Sequence, residues 1–301
     1  MPLRLEKRAE RSRKMALLSP LIAIVLTLIF GAVIFASRGV APLHGLYVYF
    51  VEPLTDEWSL EKLIVKATPL VMMAAGLSLA YRANVWNIGA AGQLQMGALF
   101  AGAIPVYFSA WQDPSVMPVM LLMGVIGGML WALIPAYLKV RFNANEILTS
   151  LMMVYIADLV FDWLVRGPMR DPKGYNFPKT VNFAGWQTLP HWGDIHLGAL
   201  FALVAALGLG FMAYRMLKGF ELLTLGTAPR AGRFAGFSAD KAVYFCFALS
   251  GGLAGLAGVC DVMGVSHQLQ TPYSTPSYGF VAIIVAFLGR LNPIGAIFSG
   301  L

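Results

Sequence analysis

Charge is what this chain has least of. Asp, Glu, Lys and Arg make up 12% of its 301 residues, while hydrophobic residues make up 58%. A soluble domain carries about 25% charged residues. With a mean hydropathy of +0.69, this excludes a soluble globular fold and implies a polytopic membrane protein. Cysteine is almost absent. Cys246 and Cys260 sit in one apolar segment, which excludes a disulfide framework and a CxxC redox or metal pair and reads as small core residues. No Asn-x-Ser/Thr sequon occurs, and there is no HExxH, GxSxG or EF-hand loop. No GxxxxGK[ST] sequence is present either, so any ATP hydrolysis belongs to another chain.

What is present is apolar sequence in long runs. Eight spans are expected, at about 15–37, 62–81, 88–110, 117–138, 146–165, 197–217, 241–264 and 280–300. Runs of this length argue for helices, since barrel strands would alternate over about ten residues. The first run is too long for a cleaved signal peptide and reads as an uncleaved anchor. Arg4, Lys7, Arg8, Arg11, Arg13 and Lys14 crowd ahead of it. No folded basic surface follows them, so they read as a cytoplasmic flank and nucleic acid is not an expected partner. With the N-terminus inside, inner segments hold 14 Lys and Arg residues and outer ones hold 7, a bias that supports that orientation. We therefore expect a basic cytoplasmic N-terminus over 1–14 and one transmembrane domain over 15–301, with an inner loop at 218–241 and outer loops at 38–61 and 166–196. Loop 38–61 carries Tyr47, Tyr49, Phe50 and Trp58 and reads as interfacial. Loop 166–196 reads either as a lid or as a docking surface for an extracytoplasmic partner. His44, His191, His196 and His267 fall in outer connections without metal-ligand spacing and read as loop residues. The chain stops at Leu301 inside an apolar run, and further spans are expected beyond it.

Two of the runs are interrupted. Between spans two and three, Asn84, Asn87, Gly89, Gly92 and Gln93 fall within ten residues. This is either a polar loop at the membrane surface or a broken helix of the kind that lines a substrate path, where amides hydrogen-bond a ligand and glycines let backbone approach. The last run breaks at Gly289, Arg290, Asn292 and Pro293. Paired interruptions in two halves point to a repeat-built transporter with a central pathway. Span seven carries Gly251 and Gly255 as a GxxxG pair beside a stripe of Ser250, Ala254 and Gly258, which is helix packing. In the inner loop, Pro229 opens a short helix whose face is small and which carries Arg230 and Arg233 before Gly236. Such a helix suits a groove in a partner protein; the bland alternative is a generic positive loop. Few charges lie near the spans: Lys66, Glu146, Asp158, Asp162, Asp261 and Arg290. Asn145 is read as capping the helix that Glu146 begins, Asp158 and Asp162 as needing water or a basic partner, and Asp261 as interfacial. They form no acid/His relay, which argues against an ion-coupled transporter.

Four motifs then carry a resemblance. Asn87-Ile-Gly-Ala-Ala-Gly-Gln93 follows Trp86; Asn145-Glu-Ile-Leu-Thr-Ser-Leu-Met-Met-Val-Tyr-Ile-Ala157 opens span five; Gly226-Thr-Ala-Pro-Arg-Ala-Gly-Arg-Phe-Ala-Gly236 fills the inner loop; and Gly279 to Arg290 leads to Asn292-Pro293. In this order they resemble the permease subunits of bacterial ABC importers for simple sugars and nucleosides, the nucleoside branch most of all. The resemblance implies a type II-importer-like, all-α bundle with broken helices in the bacterial plasma (inner) membrane. It implies a second permease subunit, identical or related, two cytoplasmic ATPases that bind ATP, and an extracytoplasmic binding protein that delivers a small polar substrate. The chain itself would be non-catalytic and hold no cofactor or metal. Pro229, Arg230, Arg233 and Gly236 would meet an ATPase, and Asn84, Asn87, Gly89, Gly92 and Gln93 would line or shape the pathway. The nearest alternatives are the same machine for branched-chain amino acids, an ion-coupled transporter and, last, a membrane enzyme.

Overall fold

The structure, a computed structural model, describes residues 13–271, 273 and 278–301. The basic stretch 1–14 therefore lies mostly outside the described residues, as does part of the connection 265–279. The chain divides into two compact units, 1–60 and 61–301. The first holds α1 (Arg13–Ser37) and α2 (Pro42–Phe50). Pro42 occupies the first turn of α2, where a missing N–H is harmless, and Gly45 is buried against the Phe35 ring. The flank of α1 from Leu21 to Ile34 is largely exposed and apolar, which suits a surface that meets lipid.

Helix α3 (Glu57–Arg82) leads into the second unit. There follow α4 (Ala90–Tyr107), α5 (Val116–Phe142), α6 (Glu146–Arg166), α7 (Gly198–Arg215), α8 (Leu217–Thr227), α9 (Pro229–Phe234), α10 (Ala239–Asp261), α11 (Tyr278–Leu288) and α12 (Gly295–Gly300). A two-residue hairpin, β1 (His191–Trp192) and β2 (Ile195–His196), precedes α7. Each of the eight expected spans coincides with helix, and the last is divided between α11 and α12. Among the described residues, five helices are long and apolar enough to cross a membrane. Helix α4 departs from that pattern because Gln93 and Gln95 sit inside it, and it is sheathed by protein instead: Ala90 to Leu99 are all buried.

The sequence explains the joints. Asn143 takes the left-handed conformation (φ 53°) that ends α5. Two residues on, Asn145 caps α6, its Oδ1 accepting from the N–H groups of Ile147 and Leu148. Lys139 and Glu146 staple this helical hairpin at 2.9 Å.

The centre of the bundle is α4 against α5 and α10, and glycine allows it. A Cβ on Gly97 would overlap Gly255; one on Gly128 would overlap the Gly251 carbonyl; one on Gly258 would overlap the Leu94 carbonyl. Backbones here touch directly, the packing that dispersion favours where lipid removes the hydrophobic drive. Gly251 and Gly255 are thus a packing pair.

At the end of the bundle away from α8 and α9, the two long connections are sewn together. Thr180 N–H bonds the Leu269 carbonyl at 2.9 Å, Phe183 N–H the His267 carbonyl at 2.7 Å and Leu189 N–H the Met263 carbonyl at 3.0 Å. Lys62 pairs with Asp194 at 2.9 Å. Loop 166–196 is thus a fastened cap. Asp261, expected at the outer end of its span, is the last residue of α10 and is buried, receiving the Tyr273 hydroxyl at 3.0 Å. His191, His196 and His267 lie in the connections, as expected, and the His191 ring stands 6.2 Å from that of His196 and 6.0 Å from that of His267. Among the described residues no group of His, Cys, Asp or Glu has the geometry to hold a metal. Burial pushes the His196 imidazole down to about 4, and its Nδ1 accepts from Gly198 N–H, so this ring is held neutral.

Two expectations follow. Gly255→Val should force α4, α5 and α10 apart and lower stability by at least about 1–3 kcal/mol, whereas Gly252→Ala, where an added Cβ meets only ordinary contact at 3.4 Å, should leave it unchanged; thermal unfolding of the two purified variants is the check. For His196, the folded pKa lies below the unfolded one, so the unfolded state binds more protons between the two. Stability should be full above pH 6.5 and fall as pH drops toward 4. In a pH series of melting temperatures, His196→Gln should flatten that slope.

Candidate functional site

The first interruption is an unwound segment between α3 and α4, residues 83–89. Asn87 is fully buried and uses its whole side-chain capacity. Its Nδ2 donates to Gln93 Oε1 and to Ser250 Oγ, both at 2.9 Å. Its Oδ1 accepts from Gln93 Nε2 at 2.9 Å and from Gly89 N–H at 3.0 Å. Its carbonyl accepts the Tyr81 hydroxyl at 2.9 Å, and Ile88 N–H donates to Ser150 Oγ at 3.1 Å. The Asn87 amide thereby joins the break to α4 and α10, and main-chain groups of Asn87 and Ile88 join it to α3 and α6. Ser250 lies eleven residues into α10, about 16 Å along its axis, so Asn87 is held inside the bundle, well away from the start of that helix.

Gly89 and Gly92 serve closeness. A Cβ on Gly89 would stand 2.9 Å from the Ser150 carbonyl, and one on Gly92 3.0 Å from the Val154 Cα. Asn84 is placed differently. It is exposed and left-handed (φ 58°), and its Oδ1 holds the Trp86 indole N–H at 2.9 Å. Of the five residues read from the sequence, three form the network, Gly92 seats α4 on α6, and Asn84 mounts a ring. Sequence reasoning missed Ser150, Ser250 and Tyr81, whose partners lie up to 163 positions away.

The second interruption, residues 289–294, turns the chain back on itself. Arg290 and Leu291 both adopt left-handed backbone (φ 57° and 54°), a conformation that costs of order 1 kcal/mol or more for such residues. Asn292 Oδ1 accepts from Ile294 N–H, and Ser299 Oγ reaches the Val285 carbonyl at 2.9 Å, laying α12 along α11. An open hollow of about 610 Å³ lies here, lined by Leu288 and Phe298 as well as Tyr214, Arg290 and Asn292. The two interruptions meet: Tyr81, Trp86 and Phe287 form near-parallel ring pairs with centroids 5.1–6.1 Å apart.

The inner loop closes the set. Pro229, Arg230, Arg233 and Gly236 are all exposed on α9 and its end, and so is Phe234, at 95%. Gly236 (φ 83°) ends the helix with paired bonds: its N–H to the Arg233 carbonyl and Phe237 N–H to the Gly232 carbonyl, both 3.0 Å. Gly232, buried, packs on Leu225 of α8; next to it Gly226 is seated on the Arg82 carbonyl and Ala83, with no room for a Cβ. The Arg82 guanidinium covers the Tyr214 ring at 4.9 Å. Helix α9 is thus connected through α8 to the first residues of the break. The other membrane charges are structural: Asp158 accepts from Gln95, and Asp162 pairs with Arg166 at 2.7 Å.

Asn87→Ala should orphan the Gln93 amide and the Gly89 N–H together and take from Ser250 Oγ the hydrogen it accepts, leaving its own bond to the Cys246 carbonyl. We expect a loss of about 1–3 kcal/mol for each buried group left unmet, and a smaller loss for Ser250→Ala, which orphans one Asn87 hydrogen. The ranking is read from melting temperatures of the two variants; equal, negligible losses contradict the network's role.

The sequence pattern of the family described as "Branched-chain amino acid transport system / permease component" matches residues 59–301. The chain is 32% identical over 296 residues to a glucose ABC transporter permease protein of Haloferax volcanii, covering 94% of this chain and 77% of that protein. It is 28% identical to a guanosine ABC transporter permease protein of Bacillus subtilis (94% and 82% covered) and 25% identical to a nucleoside ABC transporter permease protein of Lactococcus lactis (94% and 81% covered). No solved structure matches the chain. The matched region runs through both interruptions and the α8–α9 loop, and the chain belongs to this family: it is a multi-pass membrane permease component of the ABC-transporter type.

Proposed function

We propose that this permease forms half of the pathway of an ATP-driven importer for a nucleoside or a simple sugar. The observation that carries the reading is the unwound segment 83–89 held within the bundle by the buried Asn87–Gln93–Ser250 network. Helix is broken there at the expense of a fully satisfied polar lattice, an arrangement tolerated in a bilayer only beside protein or water. The substrate class rests on the named relatives, which are permeases for glucose, guanosine and nucleosides. Branched-chain amino acids, which the family description names, are the second reading.

On this reading Asn87, Gly89, Gly92 and Gln93 shape the pathway, and Asn84 acts through Trp86. The α8–α9 end faces the cytoplasm, in keeping with Arg82, Lys139, Arg141, Arg215, Lys218, Arg230, Arg233 and Lys241 gathered in the inner segments, and the N-terminus lies on the same side of a bacterial inner membrane. Pro229, Arg230, Arg233 and Gly236 dock in a groove of an ATPase, one of two, which alone binds ATP; the permease is non-catalytic and carries no cofactor. A second permease, identical or related, completes the pathway. The cap 166–196 receives the extracytoplasmic binding protein. Closure of the ATPases on ATP displaces α9; because Gly226 abuts Arg82 and Ala83, that motion reaches the break and switches its access.

In vesicles holding the complete importer, Arg233→Glu should abolish ATP-dependent uptake while leaving membrane insertion unchanged, since it reverses the charge of an exposed contact and touches no core. Normal uptake by this variant removes the coupling assignment. Uptake that persists without ATP and collapses with the proton gradient removes the ABC reading. A leucine-like ligand found by mass spectrometry on the cognate binding protein removes the nucleoside or sugar reading.

A further inference from the structure

The hollow beside the second interruption joins unspent polar donors to exposed apolar side chains. Its lining comes from three places: Tyr214 near the end of α7, Leu288 at the end of α11 with Arg290 and Asn292 on the turn, and Phe298 and Ser299 of α12. Arg290 is exposed, and among the described residues its guanidinium meets no hydrogen-bond or ion-pair partner. Asn292 spends its Oδ1 on the Ile294 N–H, which leaves the two hydrogens of its Nδ2 to give. The Tyr214 ring is covered by the Arg82 guanidinium at 4.9 Å, and the Nη1 of Arg82 is buried without a partner. Two cations therefore attend this hollow, one on its wall and one against a ring that lines it.

No carboxylate answers them. Asp and Glu do not occur from residue 62 to 112, anywhere in α7, or after Asp261. Glu221 of α8 is taken by Lys218 at 3.0 Å. Guanidinium and amide donors without a local counter-charge suit an anion, phosphate oxygens above all. The rim decides which anion. Leu288 is 69% exposed and Phe298 79%. A free phosphate gains nothing from such side chains. A phospholipid offers a phosphodiester to the donors and hydrocarbon to the rim in one molecule, and basic pockets between membrane helices hold anionic headgroups in this way.

We propose that this hollow binds the headgroup of an anionic phospholipid. Arg290 and Asn292 contact its phosphate, Arg82 adds its charge from across the Tyr214 ring, and the acyl chains lie against Leu288 and Phe298. The lipid gives the α11–α12 turn the counter-charge that the chain itself lacks, and fastens that turn to the end of α7. The site is independent of which substrate the permease carries.

The test uses the purified permease in detergent with dioleoyl-phosphatidylglycerol, dioleoyl-phosphatidylcholine or inorganic phosphate added, and reads retained lipid by native mass spectrometry. An arginine beside an anionic lipid is worth about fivefold in affinity. Phosphatidylglycerol should therefore be retained at least about fivefold over phosphatidylcholine, and Arg290→Gln should remove about that factor. Arg233→Gln, which neutralises an equally exposed cation on α9, should leave retention unchanged. Arg290 is exposed, so its Gln variant keeps the fold, and an unchanged melting temperature in phosphatidylcholine verifies this. Phe298→Ser, which alters the rim and no charge, should also lower phosphatidylglycerol retention, and it decides the matter if Arg290→Gln melts early. Equal retention of the two lipids, full retention by Arg290→Gln, or the same loss in Arg233→Gln overturns the proposal. Displacement of the lipid by excess inorganic phosphate assigns the hollow to a soluble anion and overturns it too. So does an Arg290→Gln variant that keeps the lipid and loses the ATPase, which assigns the hollow to protein.

Discussion

The side chain of Asn87 is the point on which the arrangement turns. A helix interrupted inside a bilayer leaves N–H and C=O groups without partners, and each costs several kcal/mol if unmet. Asn87 offers two donors and two acceptor positions, and every one is taken, by Gln93, Gly89 and Ser250. An aspartate there would have no hydrogens for Gln93 Oε1 or Ser250 Oγ; a serine would reach only one of them. The amide is the group that meets Gln93, Ser250 and the Gly89 N–H at once.

Around this point, glycine does for shape what the amides do for polarity. Gly89 and Gly92 bring α4 onto α6, while Gly97, Gly128, Gly255 and Gly258 bring α4, α5 and α10 into backbone contact. A close-packed central layer results, with Ala90 to Leu99 of α4 enclosed. The softer parts are peripheral: the α11–α12 turn with its two left-handed residues, and the exposed α9. Close packing next to a strained turn is an arrangement in which one element can move while its neighbours hold position.

Much of this was legible in the sequence because membranes simplify the code. Long apolar runs mark helices, and Gly or Asn inside them marks a break, so all eight segments and both interruptions were found. The small-faced helix after Pro229 was equally plain, since proline at a first turn and glycine past a last one are local signals. What could not be read was pairing at a distance. Ser250 looked like one member of a small-residue stripe, and nothing local says that its hydroxyl meets Asn87 from 163 positions away. The amides of Asn87 and Gln93 looked open to a ligand because periodicity does not show that they satisfy each other. The proximity of His191 to His196 and His267 was hidden for the same reason: the connections that carry them are tied by backbone bonds between two loops, and those leave no trace in composition.

Gly226 carries a mechanical consequence. Where two parts of a protein meet through long side chains, rotamers adjust and absorb a small displacement before it passes on. At Gly226 there is no side chain, and its backbone rests on the Arg82 carbonyl and on Ala83. Such a joint has no slack. Under the proposed function a shift of the cytoplasmic helix pair arrives at the break undiminished, and the reverse holds with equal force: whatever resets the break must also reset the surface offered to the ATPase. Substrate and nucleotide would then be in communication through a contact whose working part is the absence of an atom.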